Sequence, residues 1–233
     1  MRPTPLLAAS LLAGAIAAAP ARAAPPSVVV ELFTSQGCSS CPPADALLLD
    51  LARQRPEVLA LAFHVTYWNG LGWRDPFSLP EATERQKHYA ATLGGETIYT
   101  PQMVVDGKRD VIGSDRPAVQ AALREASARA GGLAVPVTVR REAETLVIDV
   151  PAGHGAAAVL AVGYDPQHQT SVARGENGGR TLTEANIVRA IAPAGDWTGA
   201  PLRLRAPAPA GAKVAVLLQA ADGRIIGAGR DGD

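Results

Sequence analysis

The chain's two cysteines, Cys38 and Cys41, stand three positions apart and are the only ones it has. That spacing limits what can hold the fold together. A structural disulfide in an exported protein normally joins distant segments, because closing a long loop removes the most entropy from the unfolded chain. A bond across Ser39-Ser40 closes a very small ring and contributes little. The fold must then rest on an apolar core, for which a chain of 233 residues that is 47% hydrophobic has enough material. The cysteine pair is left for chemistry, with a purely structural bridge as the alternative.

The pair sits between a strand and a helix. Ser27 to Phe33 carries Val28, Val29 and Val30 in succession, the pattern of a strand buried on both faces. Thr34-Ser35-Gln36-Gly37 is a polar turn. A helix is expected from about Cys38 to Gln54, with Ala44, Leu47, Leu48 and Leu51 as its buried stripe. Pro42 and Pro43 fall in its first turn, where missing amide hydrogens cost least. Val58 to Val65 is a second apolar strand, and Thr66 to Phe77 is a loop holding Tyr67, Trp68, Trp73 and Phe77. Pro80 to Leu93 is a second helix, ended by Gly94-Gly95. Gln102 to Val105 and Arg109 to Ile112 are strands joined by an Asp106-Gly107 hairpin turn. Ser114 or Asp115 caps a last helix, with Pro117 in its first turn, running to about Ala130.

A βαβ unit followed by a ββα unit is the thioredoxin layout. The expected class is therefore α/β: a thioredoxin-like fold with a helical insertion over residues 24–131, bounded by Gly131-Gly132. Residues 132–233 form a β-rich C-terminal module. Its expected strands are Val135–Val139, Thr145–Val150, Ala156–Tyr164, Lys213–Ala220 and Arg224–Gly229, with one short helix at Glu184–Ile191.

Residues 1–23 are expected to be a signal peptide. Arg2 precedes an apolar run from Leu6 to Ala19, too short for a comfortable membrane span, and Ala21-Arg22-Ala23 offers a cleavage site. This places the protein in the periplasm or outside the cell. The chain has 22 basic and 22 acidic residues, and loss of Arg2 and Arg22 leaves it slightly acidic. A nucleic-acid partner, which wants a basic face, is not indicated.

The chemistry is concentrated at Cys38 and Cys41. A C-x-x-C near a βαβ pattern marks thiol–disulfide exchange. A cysteine at a helix start can fall from a pKa near ~8.5 to roughly 3.5–7.5, and its thiolate attacks disulfides. Cys38 is then the nucleophile and Cys41 the buried partner that resolves the mixed disulfide. A structural zinc site needs about four ligands, and His64, His88, His154 and His168 are scattered. Thr100-Pro101, directly before a strand, is the expected place of a cis-proline facing the dithiol. His64 ends the second strand, where it could carry protons, bind a soft metal with the two cysteines, or simply be packed. Asp45, four positions past Cys41, could relay protons or be a solvated helix carboxylate. Tyr67, Trp68 and Trp73 could line a substrate groove or form a satellite apolar cluster. Gly175-Glu176-Asn177-Gly178-Gly179-Arg180 lacks the strand–helix setting of a phosphate cradle and reads as a turn.

The run from Glu31 to Asp45, Glu31-Leu32-Phe33-Thr34-Ser35-Gln36-Gly37-Cys38-Ser39-Ser40-Cys41-Pro42-Pro43-Ala44-Asp45, resembles the signature of the exported thioredoxin-like family catalogued as domain of unknown function 1223. His64-Val65, Tyr67-Trp68, Leu71 to Phe77, Tyr99 to Val105, Arg174 to Asn177 and Gly179 to Leu182 extend the likeness over nearly the whole mature chain. The resemblance departs at Thr66 and Asn69, where acidic residues are usual. It implies export and fold and supplies no substrate. The expected function is thiol–disulfide exchange by Cys38 and Cys41, without a cofactor, on protein or small-molecule thiols and disulfides. The alternatives are a copper or other soft-metal protein using Cys38, Cys41 and His64, and a non-catalytic binding module.

Overall fold

In a computed structural model that describes residues 26–129 and 133–232, the first strand, β1 (Val28–Thr34), is buried along its whole length. It pairs in parallel with β2 (Val58–His64) over seven residues, from Val28 opposite Val58 to Thr34 opposite His64. The crossover between them is α1 (Pro42–Gln54). One sheet face, with Val28, Val30, Leu32, Ala60 and Ala62, packs on the Ala44/Leu47/Leu48/Leu51 stripe of α1. The other face, with Val29, Phe33, Leu59, Leu61 and Phe63, packs elsewhere in the core. Both faces are covered, so neither strand alternates apolar with polar. The helix starts later than its sequence suggests: Cys41, not a residue near Cys38, is the N-cap. Cys41 itself keeps helical backbone (φ −78°, ψ −36°), and Pro42 and Pro43 open the first turn, where a missing N–H costs least.

Beyond β2, α2 (Pro80–Thr92) lies against the second face. β3 (Gln102–Val105) and β4 (Arg109–Ile112) form the expected hairpin; Val105 pairs with Arg109 across a three-residue connection, with Asp106 at φ 50° and Gly107 at φ 61° and the Lys108 amide bonded to the Val105 carbonyl at 3.0 Å. α3 (Arg116–Ala128) follows, its Asp115 side chain accepting from the Ala118 amide at 3.0 Å. Its Val119, Ala122, Leu123 and Ala126 join the core shared with α1.

The second half adds strands. These are β5 (Val135–Pro136), β6 (Thr138–Glu142), β7 (Thr145–Val150), β8 (Ala157–Ser171), β9 (Thr181–Trp197), β10 (Leu202–Pro207), β11 (Lys213–Gln219) and β12 (Ile225–Arg230). One nine-stranded sheet runs β4-β3-β1-β2-β9-β8-β11-β12-β5, and a smaller one runs β10-β7-β6. The described chain is thus mixed α/β, with one large sheet and three helices. No helix among the described residues is long and apolar enough to cross a membrane. The signal segment and the Gly131-Gly132 boundary lie outside the described residues.

The expected helix at Glu184–Ile191 is instead part of β9, a 17-residue strand. β9 pairs with β8 along nearly its full length and touches β2 at Ala62–Ile187. The alternation is interrupted by a register shift between the Tyr164–Val188 and Gly163–Ala190 pairs; nearby, Asn186 takes φ 47° and its side chain donates to the Ala60 carbonyl at 2.8 Å. One residue out of phase makes a strand's apolar pattern look helical.

A charged residue, Glu31, occupies the middle of buried β1. Arg85 of α2 meets it with two hydrogen bonds, at 2.7 and 3.1 Å, and the Tyr89 hydroxyl donates to the same carboxylate. Gln219 of β11 accepts from Arg85 at 2.9 Å. This buried group ties α2 and β11 to the first strand.

Candidate dithiol site

Cys38 and Cys41 are joined by a disulfide with their Cα atoms 5.5 Å apart, and neither residue is exposed to solvent (both 0%). Ser39 and Ser40 between them are exposed. The loop is therefore at the surface with its sulfurs facing inward, whereas its sequence position suggests an accessible Cys38. The turn is built by backbone bonds from the Cys38 amide to the Ser35 carbonyl and from the Cys41 amide to the Cys38 carbonyl.

The expected source of thiolate stabilisation, free amides at the helix start, is largely missing. Pro42 and Pro43 carry no N–H, and the Ala44 and Asp45 amides are bonded to the Cys41 carbonyl. Hydroxyls take their place. Ser40 and Thr100 each lie 3.4 Å from the Cys38 sulfur, which has no proton and so accepts. The Trp68 indole donates to the Thr100 oxygen at 2.8 Å, which leaves the Thr100 proton directed at the sulfur. The Thr100–Pro101 peptide bond is cis. It directly precedes β3, and the Gly113 amide after β4 bonds to the Pro101 carbonyl at 2.9 Å.

Behind the loop lies a buried charge cluster. His64, at the C-terminal end of β2, meets Asp75 through Nδ1 at 2.7 Å. Its Nε2 faces Glu184 Oε1 of β9 at 3.8 Å, and neither of these two atoms has a hydrogen-bond partner. Gln36 binds the parts together. Its amide donates to Asp75 at 2.8 Å, its side chain donates to Glu184 at 2.7 Å, and it accepts from the Trp73 indole at 3.1 Å. Asp45 of α1 is buried too and accepts from Thr34 Oγ1 at 2.7 Å.

The electrostatics follow from burial and pairing. Burial, then the Glu184 charge, push the Asp45 carboxyl up to about 7. Burial alone would lower the His64 imidazole, but the Asp75 charge and hydrogen bond, helped by Glu184, push it up to about 9. Burial works to raise Asp75 as well; His64 outweighs it and holds Asp75 below the ordinary carboxylate range. Glu184 is raised by burial, which its distance from His64 does not offset. His64 and Asp75 thus favour each other's charged forms, while burial works against the charged forms of Asp45 and Glu184 beside them.

The loop between β8 and β9 supplies the last wall. Asn177 is fully buried, and its side-chain nitrogen donates to the carbonyls of Gln36 at 3.0 Å and Cys38 at 2.9 Å. Glu176 accepts from the Ser39 amide at 3.0 Å. Gly175, at φ 80°, passes against Trp73: a Cβ there would sit 3.0 Å from the Trp73 Cβ, so only glycine fits the approach.

Cys38, Cys41, Thr100 and Trp68 are therefore brought into one hydrogen-bonded set. Tyr67 is partly exposed at the rim, at 39%, and its hydroxyl donates to Gln86 at 3.2 Å. Trp73 turns its indole nitrogen inward to Gln36. His64 and Asp45 belong to the charge cluster behind. Gln36, Asp75, Glu184, Glu176 and Asn177 were not expected as site residues. The Gly-rich run around Asn177 and the Trp73-Arg74-Asp75-Pro76 stretch were the signals available for them.

A soft-metal site on Cys38, Cys41 and His64 has no donor set here. The sulfurs bind each other, and both His64 nitrogens are turned to carboxylates. Among the described residues no group of three or more His, Cys, Asp or Glu side chains is placed to hold a metal ion.

Comparison with known proteins places this site in context. The family described as "Protein of unknown function (DUF1223)" matches residues 29–219. The crystal structure of protein AGR_C_4864 from Agrobacterium tumefaciens aligns with a TM-score of 0.79 at 34% identity, covering 90% of this chain and 96% of that one. HBP35 of Porphyromonas gingivalis aligns with a TM-score of 0.57 at 15% identity, over 89% of this chain and 75% of that one, a likeness of fold. No curated protein matches the sequence.

Proposed function

Since the chain belongs to the DUF1223 family, whose function is unknown, its activity must be read from the site, and we propose that it is a thiol–disulfide oxidoreductase on a thioredoxin-like frame. The observation that carries this reading is the Thr100 hydroxyl, held by Trp68 and aimed at the Cys38 sulfur across 3.4 Å. A donor fixed on one sulfur of a bond that staples nothing serves the anion which that sulfur becomes. The parallel β1–α1–β2 unit, the cis-proline and the β3–β4–α3 unit support the thioredoxin-like frame. The apolar run from Leu6 to Ala19 followed by Ala21-Arg22-Ala23 supports export to the periplasm or beyond.

In the reduced protein the Cys38 thiolate attacks a substrate disulfide. The new S–S bond joins Cys38 to one substrate sulfur, and the other leaves as a thiolate that takes up a proton. Cys41, losing its proton, then attacks the Cys38 sulfur, restores the internal disulfide and releases the second substrate sulfur as a thiol. Two electrons pass from the protein to the substrate, and the reverse sequence oxidises a dithiol. Asp45, one helical turn past Cys41 with a carboxyl near neutrality, is the proposed acceptor of the Cys41 proton. His64 sets the charge around it.

Purified protein should reduce insulin in the presence of a small thiol, and should equilibrate with glutathione at a defined midpoint potential. Cys38→Ser should abolish the reaction, and Cys41→Ser should accumulate the mixed disulfide. Equal insulin reduction by wild type and Cys38→Ser would end this reading.

A further inference from the structure

We propose, building on the exchange reading above, that the β8–β9 hairpin tip is a releasable clamp on the Cys-Ser-Ser-Cys loop, held shut by Asn177 as a positioning residue. The tip reaches the loop from far away in sequence: Asn177 binds residues 139 and 141 positions before it. Its composition is unusual for a structural contact. From residue 173 to 180 every residue is exposed except Asn177, which is fully buried. The segment offers no large apolar side chain, so hydrogen bonds rather than buried area hold it down.

Those bonds go to the loop's backbone. The Asn177 side chain satisfies the carbonyls on either side of Gly37, and its own oxygen accepts from Arg180 at 3.0 Å. Glu176 takes the Ser39 amide, the donor next to Cys38. Together they fix the loop in the arrangement that turns both sulfurs away from solvent. A carboxylate on that amide also disfavours a sulfur anion beside it, through like charge and a lost donor. The closed clamp therefore suits the neutral disulfide. A segment bound by a few polar contacts belongs to the low-stability end of a fold and can open without global unfolding. Opening frees the loop to turn Cys38 outward.

The test uses the oxidised full chain and dithiothreitol. One reductant thiolate attacks a sulfur of the Cys38–Cys41 bond and breaks it. The second thiol of the reductant displaces the protein sulfur, leaving two protein thiols and the cyclic oxidised reductant. Reduction is followed by alkylation and mass. Asn177→Ala and Asn177→Asp, which remove the two donated bonds, should raise the rate about tenfold. Glu176→Gln, a change on the exposed surface that keeps the fold, should raise it about threefold. The increases should be insensitive to urea below the unfolding transition, because a local opening exposes little area. Unchanged or slower rates in the folded variants would overturn the clamp, as would an acceleration that grows with urea as global unfolding does. Insulin reduction by wild type separates the two ideas. An inactive wild type with faster variants leaves the clamp and removes the exchange reading, and an active wild type with unchanged variants does the opposite.

Discussion

His64 and Asp45 carry the clearest consequences at the scale of single residues. The His64 imidazole is raised from 6.5 to about 9 by Asp75 and Glu184 against the cost of burial. Its contribution to stability is complete below pH 6.5 and is lost as pH rises through 9. Asp45, raised from 3.8 to about 7, acts in the same direction in a lower window, since the fold favours its neutral form. Asp75, held below its ordinary value, contributes the opposite slope, finished by pH 3.8. Between pH 7.5 and 9 His64 dominates. Urea unfolding should show a loss of roughly 2 kcal/mol across that interval. A His64→Gln variant should start less stable and show almost no slope there. The Cys38–Cys41 pair and the cis Thr100–Pro101 step could be singled out in the sequence because each carries a short signal of its own, a C-x-x-C before a helix and a proline directly before a strand. Gln36, Asp75, Glu184 and Asn177 could not. Their roles rest on contacts spanning 11 to 148 positions, which no helical or strand periodicity encodes.

Among the elements, α2 depends on one buried ion pair. Arg85 sits between the rings of Phe63 and Tyr89, 5.6 and 5.1 Å from their centroids, while paired with Glu31. Removing one partner strands the other charge inside the core. Arg85→Ala should cost about 3–5 kcal/mol by urea unfolding, and Glu31→Gln less, because an amide can still accept from the guanidinium. The strands and helices up to residue 128 follow their sequence signals closely, since continuous apolar runs, prolines and Asp-Gly mark them sharply. β9 fails that test for a physical reason. Glu184, Ala185, Arg189 and Ala190 favour a helix, and a register shift between the Tyr164–Val188 and Gly163–Ala190 pairs changes the strand's phase. Pairing with β8 then decides the outcome, as tertiary contact overrides propensity.

For the whole molecule, the position of the core matters most. Val29, Phe33, Leu61 and Phe63 from the first half pack with Val162, Val188, Leu217 and Ile225 from the second. The large sheet is continuous through the β2–β9 contact at Ala62 and Ile187. A fragment ending at residue 131 would expose the part of that face that Val162, Val188, Leu217 and Ile225 cover. It should fail to show a cooperative unfolding transition by circular dichroism, while the full chain unfolds in a single one.

The long reach of Asn177 has a consequence for how the protein comes to be made. A ribosome delivers the two sulfurs early and residues 172–180 only after another 130 or so, so the newborn segment spends its first moments bare. An oxidant meeting the emerging polypeptide finds both sulfurs open; one arriving after completion finds them turned inward.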